Sequence, residues 1–348
     1  MIVGARDAFG SRRLLYHPAT GHTGERVREV LAATGVRQVT PDRDAIVGHL
    51  YGPRHQDRTL IRDVRAVPPG HALVRGSTLH LRRLPPASRA ADLRTALQTA
   101  LAAAFTAGKR VALALSGGLD SALLLALLHA QGREDVPVYV LATGMPDYCE
   151  REAALAMAQR LGASVSVVTV QASDFVDALP RVLREVEEPL FNLHPVAKRL
   201  LAEAMARDGI DLAITGDGAD QVLRRDASAN YLPLCQALFD TAGVRWWPPF
   251  LAPGVVRHLC SQPPDADKAC LRALGAQLAL PDVLVQGPKR SRLAPAMDLD
   301  SLDVAARIPP LARALDLPAP ALETDRERVL WTTLVMTLDL LTPEPTPP

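Results

Sequence analysis

Between residues 110 and 215 short, nearly all-apolar runs alternate with longer stretches whose apolar positions recur at helical spacing. The apolar runs predict strands over Arg110–Leu115, Val136–Ala142, Ser164–Val170 and Asp211–Thr215. The stretches between them predict helices over Ser121–Gln131, Glu150–Leu161, Asp174–Glu187 and Pro195–Arg207. Strands that are apolar at every position have no wet face, so they belong to a sheet covered on both sides. Alternation with helices makes that sheet parallel and the fold class α/β. Ligands of such sheets collect beyond the carboxyl ends of the strands.

The pattern changes on either side of this block. Residues 1–85 read as β-rich and irregular, with short apolar stretches at Arg13–Tyr16, His71–Val74 and Leu79–Leu81 between glycine and proline turns. Pro68-Pro69-Gly70-His71 followed by a strand, a turn at Gly76 and a second strand predicts a hairpin. Pro85-Pro86 marks a boundary, after which Ala91–Ala107 has helical spacing and stops at Gly108. Two units are expected, 1–85 and 86–348. Residues 222–348 read mainly as helices and proline-broken connectors, ending in an amphipathic helix over Asp325–Leu341 and a frayed tail, Thr342–Pro348. No internal repeat is visible.

Bulk properties narrow the function classes. The chain has 348 residues, 39 Lys and Arg against 38 Asp and Glu, and a formal net charge of +1. So near a balance carries no electrostatic signature of a nucleic-acid or anionic-membrane partner. No apolar run is long enough to span a bilayer. The first residues lack the basic start and apolar stretch of a signal peptide, so a cytoplasmic location is expected. Cys149, Cys235, Cys260 and Cys270 show no metal-ligand spacing and are expected to be reduced.

The chemistry is concentrated in Leu113-Ala-Leu-Ser-Gly-Gly-Leu-Asp-Ser-Ala122, where a predicted strand runs through two glycines into a predicted helix. Gly117 and Gly118 let the backbone approach an anion closely, and the helix start aims N–H groups and positive dipole at the same point. Ser116 and Ser121 add hydroxyls. Asp120 beside a phosphate makes sense with a divalent cation between them, an arrangement Mg²⁺ prefers. Taken alone, the same run is also a capped turn between strand and helix. A second strand, Asp211–Thr215, ends in Gly216-Asp-Gly-Ala-Asp220. Two strand ends of one parallel sheet, each with an aspartate, can share one metal, which makes Asp120 and Asp220 candidate Mg²⁺ ligands.

The first run resembles SGGxDS, the pyrophosphate loop of the PP-loop ATP pyrophosphatases, whose fold is the adenine nucleotide α-hydrolase-like sheet. Together with Glu187-Glu188-Pro189, TGDGAD at 215–220, Pro249-Phe250-Leu251, Asp267-Lys268 before Leu271-Arg272, and Leu280-Pro281 with Lys289 eight residues on, it resembles the asparagine synthetase family. The β-lactam and carbapenam synthetases and the lasso-peptide macrolactam cyclases are its relatives. The resemblance covers roughly 90–300. It implies ATP and Mg²⁺ as cofactors, with Leu115, Thr215 and Gly216 along adenine and ribose, and Ser116, Gly117, Gly118 and Ser121 on pyrophosphate. It implies catalytic roles for Lys268 and Lys289 at the phosphates or a developing oxyanion, and for Glu188 (with Glu187) at the substrate amine or metal shell. Asp217 stands where lactam-forming relatives have the tyrosine of a tyrosine–glutamate pair. Ala5-Arg-Asp-Ala-Phe-Gly10, Leu14-Leu-Tyr16 and Val67-Pro-Pro-Gly-His71 resemble the second half of the family's Ntn-type glutaminase domain. Position 2 is isoleucine and no cysteine precedes Cys149, so no glutaminase activity is expected. Arg224-Arg225-Asp226 and Ala252 replace residues that border the acceptor pocket in relatives.

The expectation is therefore an amide-bond synthetase that activates a small-molecule or peptide carboxylate as an acyl-adenylate for attack by an amine or ammonia. The nucleophile comes from the substrate itself, as in a lasso-peptide or lactam cyclase or specialised-metabolite ligase, or from a separate ammonia source. A non-catalytic nucleotide-binding paralogue is the alternative from another class. A PP-loop enzyme acting on RNA would need a basic face or redox-active cysteines near the loop, and the sequence supplies neither clearly.

Overall fold

Val111 to Leu115 is buried at every position, as a central strand covered on both faces requires. The computed structural model describes residues 1–348 except 37, 77–78, 84–91, 106–107, 146–147, 229, 288–296 and 343–348. Lys289, the Pro85-Pro86 boundary and all but the first residue of the expected tail lie outside the described residues.

The front segment runs β1 (Ile2–Ala5), β2 (Leu15–Tyr16), β3 (Thr23–Gly24), α1 (Val27–Thr34), α2 (Arg43–Tyr51), β4 (Arg65–Ala66), β5 (His71–Arg75) and β6 (Leu79–Arg83). The predicted hairpin is present, with His71 opposite Arg83 and Leu73 opposite Leu81. The strands form two small antiparallel sheets, β1-β5-β6 and β3-β2-β4. The two helices correct the purely β-rich expectation. Their ends carry local signals: the Asp42 carboxylate caps the Ala45 N–H of α2, Glu29 closes a capping box at Arg26, and Gly35 ends α1 with φ 69°.

The main sheet is built from β7 (Val111–Leu115), β8 (Val138–Thr143), β9 (Val165–Val170), β10 (Leu212–Ile214) and β11 (Arg245–Trp247), in spatial order β11-β10-β7-β8-β9 and all parallel. The helices of this part are α3 (Leu93–Ala102), α4 (Leu119–His129), α5 (Arg151–Arg160), α6 (Ala172–Val186), α7 (His194–Arg207), α8 (Ala219–Arg224), α9 (Tyr231–Thr241), α10 (Pro253–Cys260), α11 (Ala269–Gln277) and α12 (Asp282–Val285). Four strands lie where the apolar runs predict them. The fifth, β11, corrects the helical reading of 222–348. From β7 the chain builds outward through β8 and β9, then returns to the other side of β7 to lay down β10 and β11. The direction of winding therefore reverses between β7 and β10, and that switch point is where an open α/β sheet leaves a crevice.

The last helices, α13 (Ile308–Ala314) and α14 (Asp325–Leu341), share a core with the front segment. Val30, Ile46, Ile61 and Val64 are buried with Ile308, Ala312, Trp331 and Leu334 in one cluster. A second joint forms at the end of α6. The Glu187 carboxylate, at a residue with φ 50°, accepts from the Arg28 backbone N–H at 3.0 Å and from Arg28 Nε at 2.7 Å. Glu188 is ion-paired with Arg13 at 2.7 Å, and accepts from Arg54 at 2.8 Å and also from Asn230. Three front-segment guanidiniums thus hold the negative end of α6.

His49 sits behind this joint, buried, with its ring 4.7 Å from that of Phe191 and, among the described residues, no hydrogen-bond partner on either nitrogen. Burial, reinforced by Arg54, pushes its pKa down to about 3, so the folded protein keeps it neutral. The unfolded chain takes up a proton near the ordinary value of 6.5, and stability contributed by neutral His49 is lost as pH falls below that toward 3. Urea midpoints measured from pH 7 to 4 should fall less steeply in His49→Leu than in the wild type; identical slopes would contradict this reading.

Candidate functional site

The carboxyl ends of β7 and β10 open on a cavity of about 1250 Å³. Leu115, Ser116, Gly117, Gly118, Asp120, Ser121, Gly216, Asp217, Asp220 and Lys268 line it, so the two glycine loops of the sequence meet at the switch point. They touch: a Cβ on Gly216 would lie 3.0 Å from the Ser121 backbone nitrogen and 3.2 Å from the Asp120 Cβ. Only glycine lets the β10 loop pass so close to the start of α4.

The first loop is ordered by its own hydroxyls. Ser121 Oγ accepts from the Ser116 N–H at 3.0 Å and lies 2.9 Å from Ser116 Oγ. The Gly117 N–H donates to the Glu150 carboxylate at 3.0 Å, which shows that the loop already receives an anionic oxygen. Gly118, the N-cap of α4, has no side chain to cap it, so among the described residues the first turn presents its N–H groups and positive dipole end to the cavity.

The carboxylates of Asp120 and Asp220 come from different strand tips and touch one nitrogen. Lys268 Nζ lies 2.6 Å from Asp120 Oδ2 and 3.3 Å from Asp220 Oδ2. Lys268, at φ 59°, is the residue before α11, and the packing of α11 on α4 brings it across the cavity. Two aspartates that converge on one cation fit the donor set Mg²⁺ takes from proteins, one or two carboxylates with substrate phosphates and water completing the shell. Among the described residues no group of three or more His, Cys, Asp or Glu could bind a metal unaided.

Other expected site residues are placed differently. Thr215 is buried behind the cavity, where its hydroxyl accepts from Trp246 Nε1 at 2.9 Å, so it supports the loop rather than lining a nucleotide. Glu188 does not line the cavity; it is spent on Arg13, Arg54 and Asn230. Burial opposes its ionisation, but the two guanidiniums outweigh burial and bring its pKa down to about 2. Both carboxylate oxygens of Asp217 accept from Lys198 Nζ, at 3.0 and 2.9 Å, and the phenol of Tyr231 donates to it at 3.4 Å. Burial works against both charges of this pair, yet each holds the other ionised: the Lys198 pKa is raised and that of Asp217 lowered.

Residues the sequence did not single out complete the cavity. Tyr148 donates to or accepts from His194 Nδ1 at 2.8 Å, and the His194 ring stacks on Tyr231 with centroids 6.2 Å apart. Burial, with Lys198 nearby, lowers the His194 pKa to about 4, so the imidazole is neutral at pH 7. His194 and Lys198 stand four apart on α7, a spacing that puts both on one face, but nothing in the sequence tells which face meets the cavity.

Comparison with known proteins locates the same region. Residues 92–225 match the asparagine synthase family model. Proposed glutamine-hydrolyzing asparagine synthetases of Mycobacterium bovis and Mycobacterium tuberculosis are 29% identical over 133 residues, which is 38% of this chain and 20% of theirs. The match therefore spans about a fifth of the length of those relatives. Among solved structures, the ammonia-dependent NAD synthetase of Campylobacter jejuni aligns over 71% of this chain and 96% of its own, with 17% identity and a TM-score of 0.38. The NMN synthetase of Francisella tularensis aligns over 74% and 99%, with 14% identity and a TM-score of 0.37. The U34-tRNA thiolase of Methanococcus maripaludis aligns over 70% and 77%, with 14% identity and a TM-score of 0.39. The fold class rests on the strand order and the loop after β7 rather than on these overlaps. Among the described residues no helix is long and apolar enough to cross a membrane. The matched region, which holds both glycine loops and both aspartates, is similar to the asparagine synthase family over residues 92–225.

Proposed function

We propose that the protein is an ATP-dependent carbon–nitrogen ligase, forming AMP and pyrophosphate, that activates a carboxylic acid as its acyl-adenylate for attack by an amine or ammonia. The observation that carries this reading is the convergence of Asp120 and Asp220 on Lys268 Nζ beside an uncapped glycine loop. Adenylation joins a carboxylate oxygen to the α-phosphorus and releases pyrophosphate, so charge builds on phosphate oxygens. The loop N–H groups of Gly117 and Gly118 and the hydroxyls of Ser116 and Ser121 bind those oxygens, and the ammonium of Lys268 stabilises the added charge. Mg²⁺, held by Asp120 and Asp220, would neutralise phosphate charge and orient the leaving group. Leu115 and Gly216 offer an apolar, close-fitting wall for the adenosine. In the second half-reaction the amine nitrogen attacks the acyl carbon, loses a proton and expels AMP.

The direct test is isotope exchange between pyrophosphate and ATP in the presence of candidate acids. Exchange that appears only with both Mg²⁺ and a carboxylic acid is expected. ATP hydrolysis between the β and γ phosphates would defeat the reading, and ATP binding with no exchange across a broad acid panel would favour a nucleotide-binding partner protein.

A further inference from the structure

His194, Ala197, Lys198 and Leu201 all line the cavity, at the i, i+3, i+4, i+7 spacing of a single helix stripe. Tyr148 and Tyr231 join them through the contacts to His194 already described. The charges of this wall are paired within it, while the phenols and the imidazole keep hydrogen-bonding capacity. The charge of Lys198 is spent on both oxygens of Asp217, and Asp217 also accepts from Tyr231 and, at 3.3 Å, from Trp246 Nε1. His194 carries no charge at neutral pH.

The other described cations that line the cavity are Lys268, Arg272 and Arg151, and none of them lies on α7. Lys268 is held between Asp120 and Asp220. The Arg272 guanidinium donates to the backbone carbonyls of Asp267, Val285 and Gly287. Arg151 is exposed and follows Glu150, whose carboxylate sits on the pyrophosphate loop. The α7 wall therefore combines aromatic faces, hydroxyl and imidazole hydrogen-bonding groups and aliphatic carbons with no net charge. A free amino dicarboxylate would bring a second carboxylate and an ammonium to this wall. Neither finds an unspent partner there, and capturing Lys198 would strand buried Asp217.

We infer that the α7 stripe is the acid-recognition wall, and that it selects a carboxylic acid with an uncharged, amide-bearing body over a free amino dicarboxylate. This rests on the amide-ligase reading and names its substrate class. An amide plane stacks on the His194–Tyr231 pair, while its N–H and carbonyl exchange hydrogen bonds with phenol and imidazole. Its apolar part covers Ala197 and Leu201.

The test is calorimetric binding of two probes, N-acetyl-L-phenylalanine and L-aspartate, to the full chain with Mg²⁺ and the α,β-methylene analogue of ATP. The N-acetyl acid is expected to bind at least tenfold tighter. Asp217→Asn leaves the Lys198 ammonium without its counter-ion, and the ratio of affinities should shift toward aspartate by at least tenfold. If that variant does not fold, the double variant Lys198→Met/Asp217→Leu removes both charges, and the N-acetyl acid should still bind at least tenfold tighter than aspartate. Aspartate binding as tightly as the N-acetyl acid, no binding of either probe, or an unchanged ratio in folded Asp217→Asn would overturn the inference. Preserved acid preference without pyrophosphate exchange would instead refute the ligase reading alone.

Discussion

Asp120→Ala should lower acid-dependent ATP–pyrophosphate exchange by roughly 10²- to 10³-fold, the range seen when a preorganised electrostatic contact to the transition state is removed. The fold should survive. Asp120 sits in the first turn of α4, where alanine is compatible with helix, and Lys268 keeps Asp220 as a partner. Asp220→Ala should act in the same direction, and the double variant should lose less than the product of the two single losses, because both carboxylates serve one cation. Exchange rates over a magnesium titration, with circular dichroism and a urea midpoint for each variant, separate chemistry from folding. Exchange at the wild-type rate in the Asp120→Ala variant would remove that residue from the metal site.

Glu188→Gln should cost about 3–5 kcal/mol of stability, because it leaves the guanidiniums of Arg13 and Arg54 in a buried joint without their anion. The pH dependence has a definite sign. With the Glu188 pKa lowered to about 2, its contribution is fully present above the ordinary carboxylate value of 4.5 and fades as pH falls from there toward 2. Wild type and variant should therefore converge in stability on acidification. Exchange assayed well below the melting temperature should change by less than tenfold in rate, with a larger rise in the acid KM, since the connection after Glu188 leads directly into His194 and Lys198. A variant of wild-type stability that has lost its exchange rate would restore Glu188 to the reacting centre.

These two residues also show how far the sequence can be read. Asp120 and Asp220 lie in the first turns of helices that follow all-apolar strands, and a parallel sheet must bring neighbouring strand ends together, so their meeting is predictable from local pattern. Glu188 sits beside Glu187 and Pro189 in a run with a familiar look. Its partners Arg13 and Arg54 lie in another part of the chain, and only tertiary structure reveals that its charge is already used. His194 and Lys198 share a face of α7 by their spacing, but Tyr148 and Tyr231 come from a loop and a second helix, and no spacing joins them to that face. β11 escaped notice because three residues, Arg245-Trp246-Trp247, are too few for alternation to register; pairing with β10 makes them a strand. α1 and α2 escaped for the opposite reason: their caps at Asp42, Glu29 and Gly35 were legible, but the turn-rich flanks dominated the reading.

The core shared between the front segment and α13–α14 has a consequence for biosynthesis. Val30, Ile46 and Ile61 leave the ribosome long before Trp331 and Leu334. At 5–20 residues per second the wait is on the order of ten to sixty seconds. Through that interval the nascent chain carries an uncovered greasy face that α13 and α14 later shield, which makes it a natural client for a chaperone acting during translation.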